Sequence, residues 1–420
     1  MSGPRPVTRT GPVPQWGAPP AGTAVATAKR GGTGTVQHSR TGLPTATVLG
    51  WWRAVLVVSC VAAAVFAPGV LRSTSSSLIE AKQSAQMMLH LNQAKGDLLV
   101  ADSVALSNAL APGNGKVVAE TGAAMEALTS AADVASDAGT NDDRLTQLAE
   151  VSSGVVTYVA AVSAAGTDAN AVNTASNQLR ESVLPTLDSL IAAEKQDIED
   201  ARNSASWAVI VWMGGISLLI VLASIHCAKR TRRVLNLGLV AALAFSGVGV
   251  WQSSQLVGSL SDGTSARSID SAATAGSAYS ALGAARDAQL RYVVGSAATR
   301  DGISNEFTAS LPTVRDAVAA LDPANQTVLE HIDAFGTSFE TLQKDMADGT
   351  LNGGLPAASD FTEVRDWSAT QIKNSHGDLA STVGGRASSV EQKSNMVAIL
   401  MAAAAIASVV GLSRIVRRYR

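Results

Sequence analysis

The chain has 420 residues, a formal net charge of −2, and a composition that is 46 % hydrophobic but only 4 % aromatic, with two cysteines. That length admits more than one domain, two cysteines cannot build a disulfide framework, and nothing in the composition calls for a nucleic acid. The charge is unevenly distributed: all 34 Asp and Glu lie between residues 80 and 391, whereas 1–53, 229–233 and 414–420 carry only basic residues.

Residues 1–50 form a basic tail with Pro4, Pro6, Pro12, Pro14, Pro19 and Pro20 and almost no clustered apolar side chains, a composition expected to be disordered. Thr8, Thr10, Thr33 and Thr35 in this tail are phosphate acceptors only in principle. Gly31, Gly32 and Gly34 have neither a strand before them nor a helix after them, so they do not read as a phosphate loop.

Segment 51–72 is the first expected transmembrane helix. Its run 54–71 contains no Asp, Glu, Lys or Arg, and Trp51 and Trp52 stand at its start as interfacial rings. A cleavable signal is the rival reading, but the 53 residues ahead of the run are too long for a basic leader and the run exceeds a signal core of ~7–15 residues. Three further runs, 205–228, 234–251 and 395–413, have the same character. Trp207 opens the second and Trp251 closes the third.

The basic segments identify the cytoplasmic side, because Lys and Arg in short loops are retained there. This places Lys229, Arg230, Arg232 and Arg233 of the 229–233 loop, and Arg414, Arg417, Arg418 and Arg420 of the 414–420 tail, inside the cell. They serve topology and anionic lipid first, and a cytosolic docking surface in addition. The expected location is the plasma (inner) membrane, multi-pass, with both termini cytoplasmic.

Blocks 73–204 and 252–394 are then extracytoplasmic, each with 17 acids against fewer bases. Neither contains a cysteine; Cys60 and Cys227 fall in the first two spans, with no Cys, Asp or Glu beside them. Both blocks are rich in Ala, Ser and Leu, which favours helices with narrow, close seams.

Met87, Leu91, Ala94, Leu98, Ala101 and Ala105 repeat at intervals of 4,3,4,3,4, the stripe of a helix packed along its length. Leu148, Val151, Val155, Tyr158 and Val162 repeat at 3,4,3,4, and so do Ile332, Phe335, Phe339, Leu342 and Met346. Breakers at 111–115, 137–142 and 166–168 divide the first block into four helices, as do those at 295–302, 321–323 and 348–356 in the second.

Two up-down-up-down four-helix bundles are the economical arrangement. The spans and stripes recur at offsets of about 180–188 residues, so the expected fold is an all-α membrane protein. It has four transmembrane helices and two extracytoplasmic helical-bundle domains related by internal duplication.

The last helix of the first block carries Leu184, Leu187, Ile191, Ile198, Ala201 and Ala205 on one stripe leading into the second span, a rigid path for a piston, tilt or rotation. Glu194 interrupts that stripe. Either it loosens the packing so that the helix has two registers, which makes it the candidate coupling position, or it swings to the solvated edge, the commoner fate of a lone carboxylate.

No catalytic, cofactor or metal constellation stands out: His38, His90, His226, His331 and His376 are scattered and none has a partner at i+4. Arg180, Arg267, Arg286, Arg291 and Arg315 are nominal anion ligands, with Glu181, Asp287 and Asp316 near enough to pair with them instead. The chain is expected to be non-enzymatic.

Arginine outnumbers lysine 23 to 9 and alanine is abundant, as in GC-rich actinobacterial proteins. With segments 53–72, 229–233 and 395–420 bracketing two helical ectodomains, the chain resembles the GlnX-like four-span membrane proteins of the GlnH, GlnX and protein kinase G amino-acid-sensing pathway. The resemblance is architectural, over essentially the whole chain, and transfers no functional residue.

It implies a sensor that reads glutamate or aspartate availability through an extracytoplasmic amino-acid-binding lipoprotein and passes it to a cytosolic serine/threonine protein kinase. Independently of that resemblance, a chain with large outer domains, short inner segments and no output domain must signal by contact. Two other readings stand beside it: a chemoreceptor-like protein that binds small ligands directly, and a structural or accessory subunit of a cell-envelope transport complex.

Overall fold

The computed structural model describes residues 45–111, 117–139, 142–204, 263–349 and 358–383, with isolated positions in 211–251 and 385–413. Among the described residues every element is helical and there is no strand.

Helix α1 (Thr45–Leu110) has 66 residues and so extends about 100 Å at ~1.5 Å per residue. It runs through the first expected span and on to the end of the first stripe without a break. Helices α2 (Val117–Asp137) and α3 (Asp142–Ala165) follow, and Gly139 and Gly166 take the left-handed conformation that the turns after them require.

The fourth helix starts at an Asp168 cap, whose carboxylate accepts from the amides of Asn170 and Ala171. It comprises α4 (Ala169–Gln178), a π turn at Leu179–Val183, and α5 (Leu184–Ser204). The second group repeats the order: α6 (Thr264–Val294), α7 (Ala297–Leu321), α8 (Gln326–Ala347), and α9 (Ser359–Asp378) with a π turn at Leu379–Val383. Both π turns begin with a buried Leu and end with a buried Val.

The helix ends fall where the breakers stand, except that α7 begins at Ala297 and carries Gly302 and Pro312 within it. Only Gly295 and Ser296 separate α6 from α7.

All six members of the α1 stripe are buried, as are all five of the α3 stripe. In α8 the first four members are buried and Met346 packs at the core's margin. Among the described residues, α3 is the helix long and apolar enough to cross a membrane, with a mean hydropathy of 1.4 in its most apolar 18-residue stretch within Asp143–Ala165. In this fold its stripe lies in the bundle core beside α1 and α2, while Val156 on another face is exposed. Of the other expected spans, 205–228, 234–251 and 395–413, only isolated helical positions lie among the described residues.

The two groups share an interface. No pair of helices in the described chain packs more extensively than α1 and α6, so the first helices of the two groups form the seam between them. Leu290 of α6 lies in the core of the first group, and Val100 of α1 in the core of the second. The approach is close because the faces are small: a Cβ on Gly283 would sit 2.8 Å from the carbonyl oxygen of Gly96 and 3.1 Å from its Cα.

Candidate functional site

Two places combine buried charge with contacts between distant parts of the chain. One surrounds Glu194. On α5, Leu187, Leu190, Ile198 and Ala201 face the core, and helical spacing puts Glu194 on the same side. Its side chain is only 1 % exposed, so it does not swing to water.

Arg144, in the first turn of α3, makes this possible by donating Nη1 to Glu194 Oε1 at 2.6 Å and Nη2 to Asp197 Oδ2 at 2.6 Å. Ser84 of α1 also hydrogen-bonds the Glu194 carboxylate. Burial raises the Glu194 pKa, while Arg144 and Ser84 pull it down.

A cavity of about 400 Å³ opens beside this pair, walled by Met87, Val134, Ala135 and Ala201, with Glu80 and Asp200 also in its lining. It lies among α1, the end of α2, the start of α3 and the second half of α5.

The other place is the α1–α6 seam. Arg180, in the first π turn, donates Nη2 to Asp102 of α1 at 2.8 Å and also to Asp287 of α6 in the other group. Asp102 is further held by Tyr158 Oη at 2.9 Å and Ser176 Oγ at 2.5 Å. Arg365 of α9 does the reverse, reaching Asp97 of α1 at 3.5 Å and Glu120 of α2. Tyr279 of α6 donates to Asp97 at 2.5 Å.

Each group's fourth helix therefore sends an arginine to a carboxylate on the other group's first helix. A π turn locally widens the helix, a distortion that recurs at functional positions, and here it carries Arg180.

Two of the seam carboxylates, Asp97 and Asp287, are strained electrostatically. Burial pushes Asp97 up to about 6 against the opposing pull of Tyr279 and Arg365. Burial also raises Asp287, with Arg180 opposing and Asp102 reinforcing the rise. One oxygen of each, Asp97 Oδ2 and Asp287 Oδ1, has no hydrogen-bond partner among the described residues. A buried oxygen left so costs about 1–3 kcal/mol, which makes the seam sensitive to small displacements and to protons.

Of the nominal anion ligands, Arg180, Arg291 and Arg315 are paired with acids: Arg180 with Asp102 and Asp287, Arg291 with Glu306, and Arg315 with Asp333. Their partners are mostly on other helices, which proximity in sequence does not reveal. Arg286 is buried and donates to Gln289 Oε1 at 2.5 Å, with its guanidinium 5.6 Å from the centre of the Phe361 ring. Burial without a carboxylate lowers its pKa to about 10.

Lys229 is helical and exposed, whereas Arg230, Arg232, Arg233, Arg414, Arg417, Arg418 and Arg420 lie outside the described residues. His90 and His376, distant in sequence, meet with their ring centres 4.4 Å apart. Nothing in their spacing signals this contact.

In comparisons with known proteins, the chain matches no family model, no curated protein and no solved structure.

Proposed function

We propose that the protein is a non-enzymatic transmembrane signal transducer. It relays extracytoplasmic glutamate or aspartate availability, received through a solute-binding lipoprotein, to a cytosolic serine/threonine protein kinase. In this reading the four apolar runs are membrane spans, blocks 73–204 and 252–394 are duplicated outer bundles, and the cationic residues of 229–233 and 414–420 meet the kinase. The recurrence of four helices with a π turn in the fourth supports the duplication.

One observation carries the proposal: α1 is a single helix from the first apolar run into the core shared by both groups. A partner that shifts either group moves the outer end of this helix. A helix transmits such a displacement because its hydrogen-bonded backbone resists bending. A coupling of ~1–3 kcal/mol would change kinase affinity about 5–150-fold.

The test interrupts the helix between the first apolar run and the described core. Ser75→Pro combined with Ser76→Gly and Ser77→Gly breaks α1 just before Leu78, the first buried residue of α1 among those described. Membrane insertion and the melting of the bundle are expected to survive, and amino-acid-dependent phosphorylation of the kinase substrate in cells to disappear. An unchanged response in the triple variant would reject transmission through α1.

The cavity beside Arg144 and Glu194 supports a second reading, direct sensing of a small molecule by the first bundle. Calorimetry on the purified protein separates the two. Heat from the amino acid alone favours direct sensing, and heat only in the presence of the lipoprotein favours relay.

A further inference from the structure

His90 of α1 and His376 of α9 are 286 residues apart, yet their rings touch across the two helical groups, with planes tilted by 38°. Both are half-buried, so water reaches them. Burial pushes His90 down to about 4, with His376 adding to the effect, and burial lowers His376 as well. A neutral imidazole offers one nitrogen lone pair to a metal ion.

A shared ion sets the separation of the rings that ligate it. A metal–nitrogen bond of ~2.1 Å plus about 1.1 Å to the ring centre puts two imidazoles on adjacent corners of a tetragonal or octahedral ion about 4.5 Å apart. Two corners of a tetrahedron put them about 5.2 Å apart. The 4.4 Å found here brings the two rings within reach of a single ion.

We propose that His90 and His376 form a two-histidine site for a divalent transition ion that favours imidazole, such as Cu²⁺ or Ni²⁺, with water in the remaining positions. Among the described residues no group of three or more His, Cys, Asp or Glu could hold a metal ion. A site with two protein ligands is open, unlike a closed structural site with four. A bound ion ties α1 of one group to α9 of the other and favours whichever arrangement of the seam keeps the rings together. This inference does not depend on the relay proposed above.

Electron paramagnetic resonance of Cu²⁺ added to the full-length protein in detergent, purified without a histidine tag, tests it. One equivalent is expected to give nitrogen couplings from two imidazoles. His90→Phe and His376→Phe should each remove the two-nitrogen signal and weaken binding at least about tenfold. The wild-type spectrum is decisive even if a variant folds poorly. Couplings from fewer than two nitrogens, or a signal unchanged in both variants, would overturn the proposal.

Discussion

The seam's dependence on small residues makes a sharp test, because one substitution should have opposite effects at two glycines. At Gly283 a new Cβ would lie 2.8 Å from the Gly96 oxygen, 3.1 Å from its Cα and 3.3 Å from its carbonyl carbon. These atoms are helix backbone, so no rotamer change relieves the contact, and α1 and α6 must separate by several tenths of an ångström. Overpacking of this kind costs about 1–3 kcal/mol.

Separation also lengthens the bonds that cross the same interface, Tyr279 to Asp97 and Arg180 to Asp287. Against this, replacing glycine by alanine in a helix gains up to ~1 kcal/mol. At Gly122 of α2 a Cβ meets nothing within 4 Å, so only the gain remains. Gly283→Ala is therefore expected to be less stable than Gly122→Ala by about 1–3 kcal/mol, or ~2–4 °C in melting temperature per kcal/mol. Thermal unfolding of the two purified variants measures the difference. If Gly283→Ala melts at or above Gly122→Ala, the close approach of α1 and α6 is refuted.

The buried pair beside the cavity should respond asymmetrically. Arg144→Ala leaves the Glu194 carboxylate enclosed without its cation, at a cost of up to ~3–5 kcal/mol, whereas Glu194→Leu continues the apolar stripe and leaves Arg144 with half-exposed Asp197. Denaturant unfolding should rank Arg144→Ala clearly below Glu194→Leu, and equal losses would contradict the pairing.

Acid should act on the seam through two opposing groups. His90 falls from 6.5 to about 4 on folding, so the unfolded chain binds more protons between those values and acidification through that window costs stability. Asp97 rises from 3.8 to about 6, so the folded chain binds more protons there and acidification adds stability. Melting temperatures from pH 6.5 to 4.5, taken with a chelator present, should rise on acidification in His90→Phe relative to wild type and fall in Asp97→Asn. Parallel curves for all three proteins would show that neither group titrates as described.

Much of the local structure is legible in the chain because helical periodicity and breakers act within a few residues. The stripe from Met87 to Ala105, the one from Leu148 to Val162, and the turns near 111, 139 and 166 are all where spacing places them. Glu194 was legible as an interruption of a stripe, but not its fate. Arg144, which keeps it buried, stands 50 residues away on another helix. The pairings of Arg180 and Arg365 with the opposite group were hidden for the same reason, and so was the contact of His90 with His376.

By itself the sequence determined a helical chain, the faces its helices bury, and an asymmetry of charge and hydropathy along its length. These follow from side-chain chemistry at neighbouring positions. Only the tertiary structure decided that α1 and α6 meet at Gly96 and Gly283, and hence which acids, arginines and histidines share a seam. Small-residue faces are common to many helices of this chain. Which two approach closely depends on the simultaneous packing of all of them, and that information is spread over residues far apart.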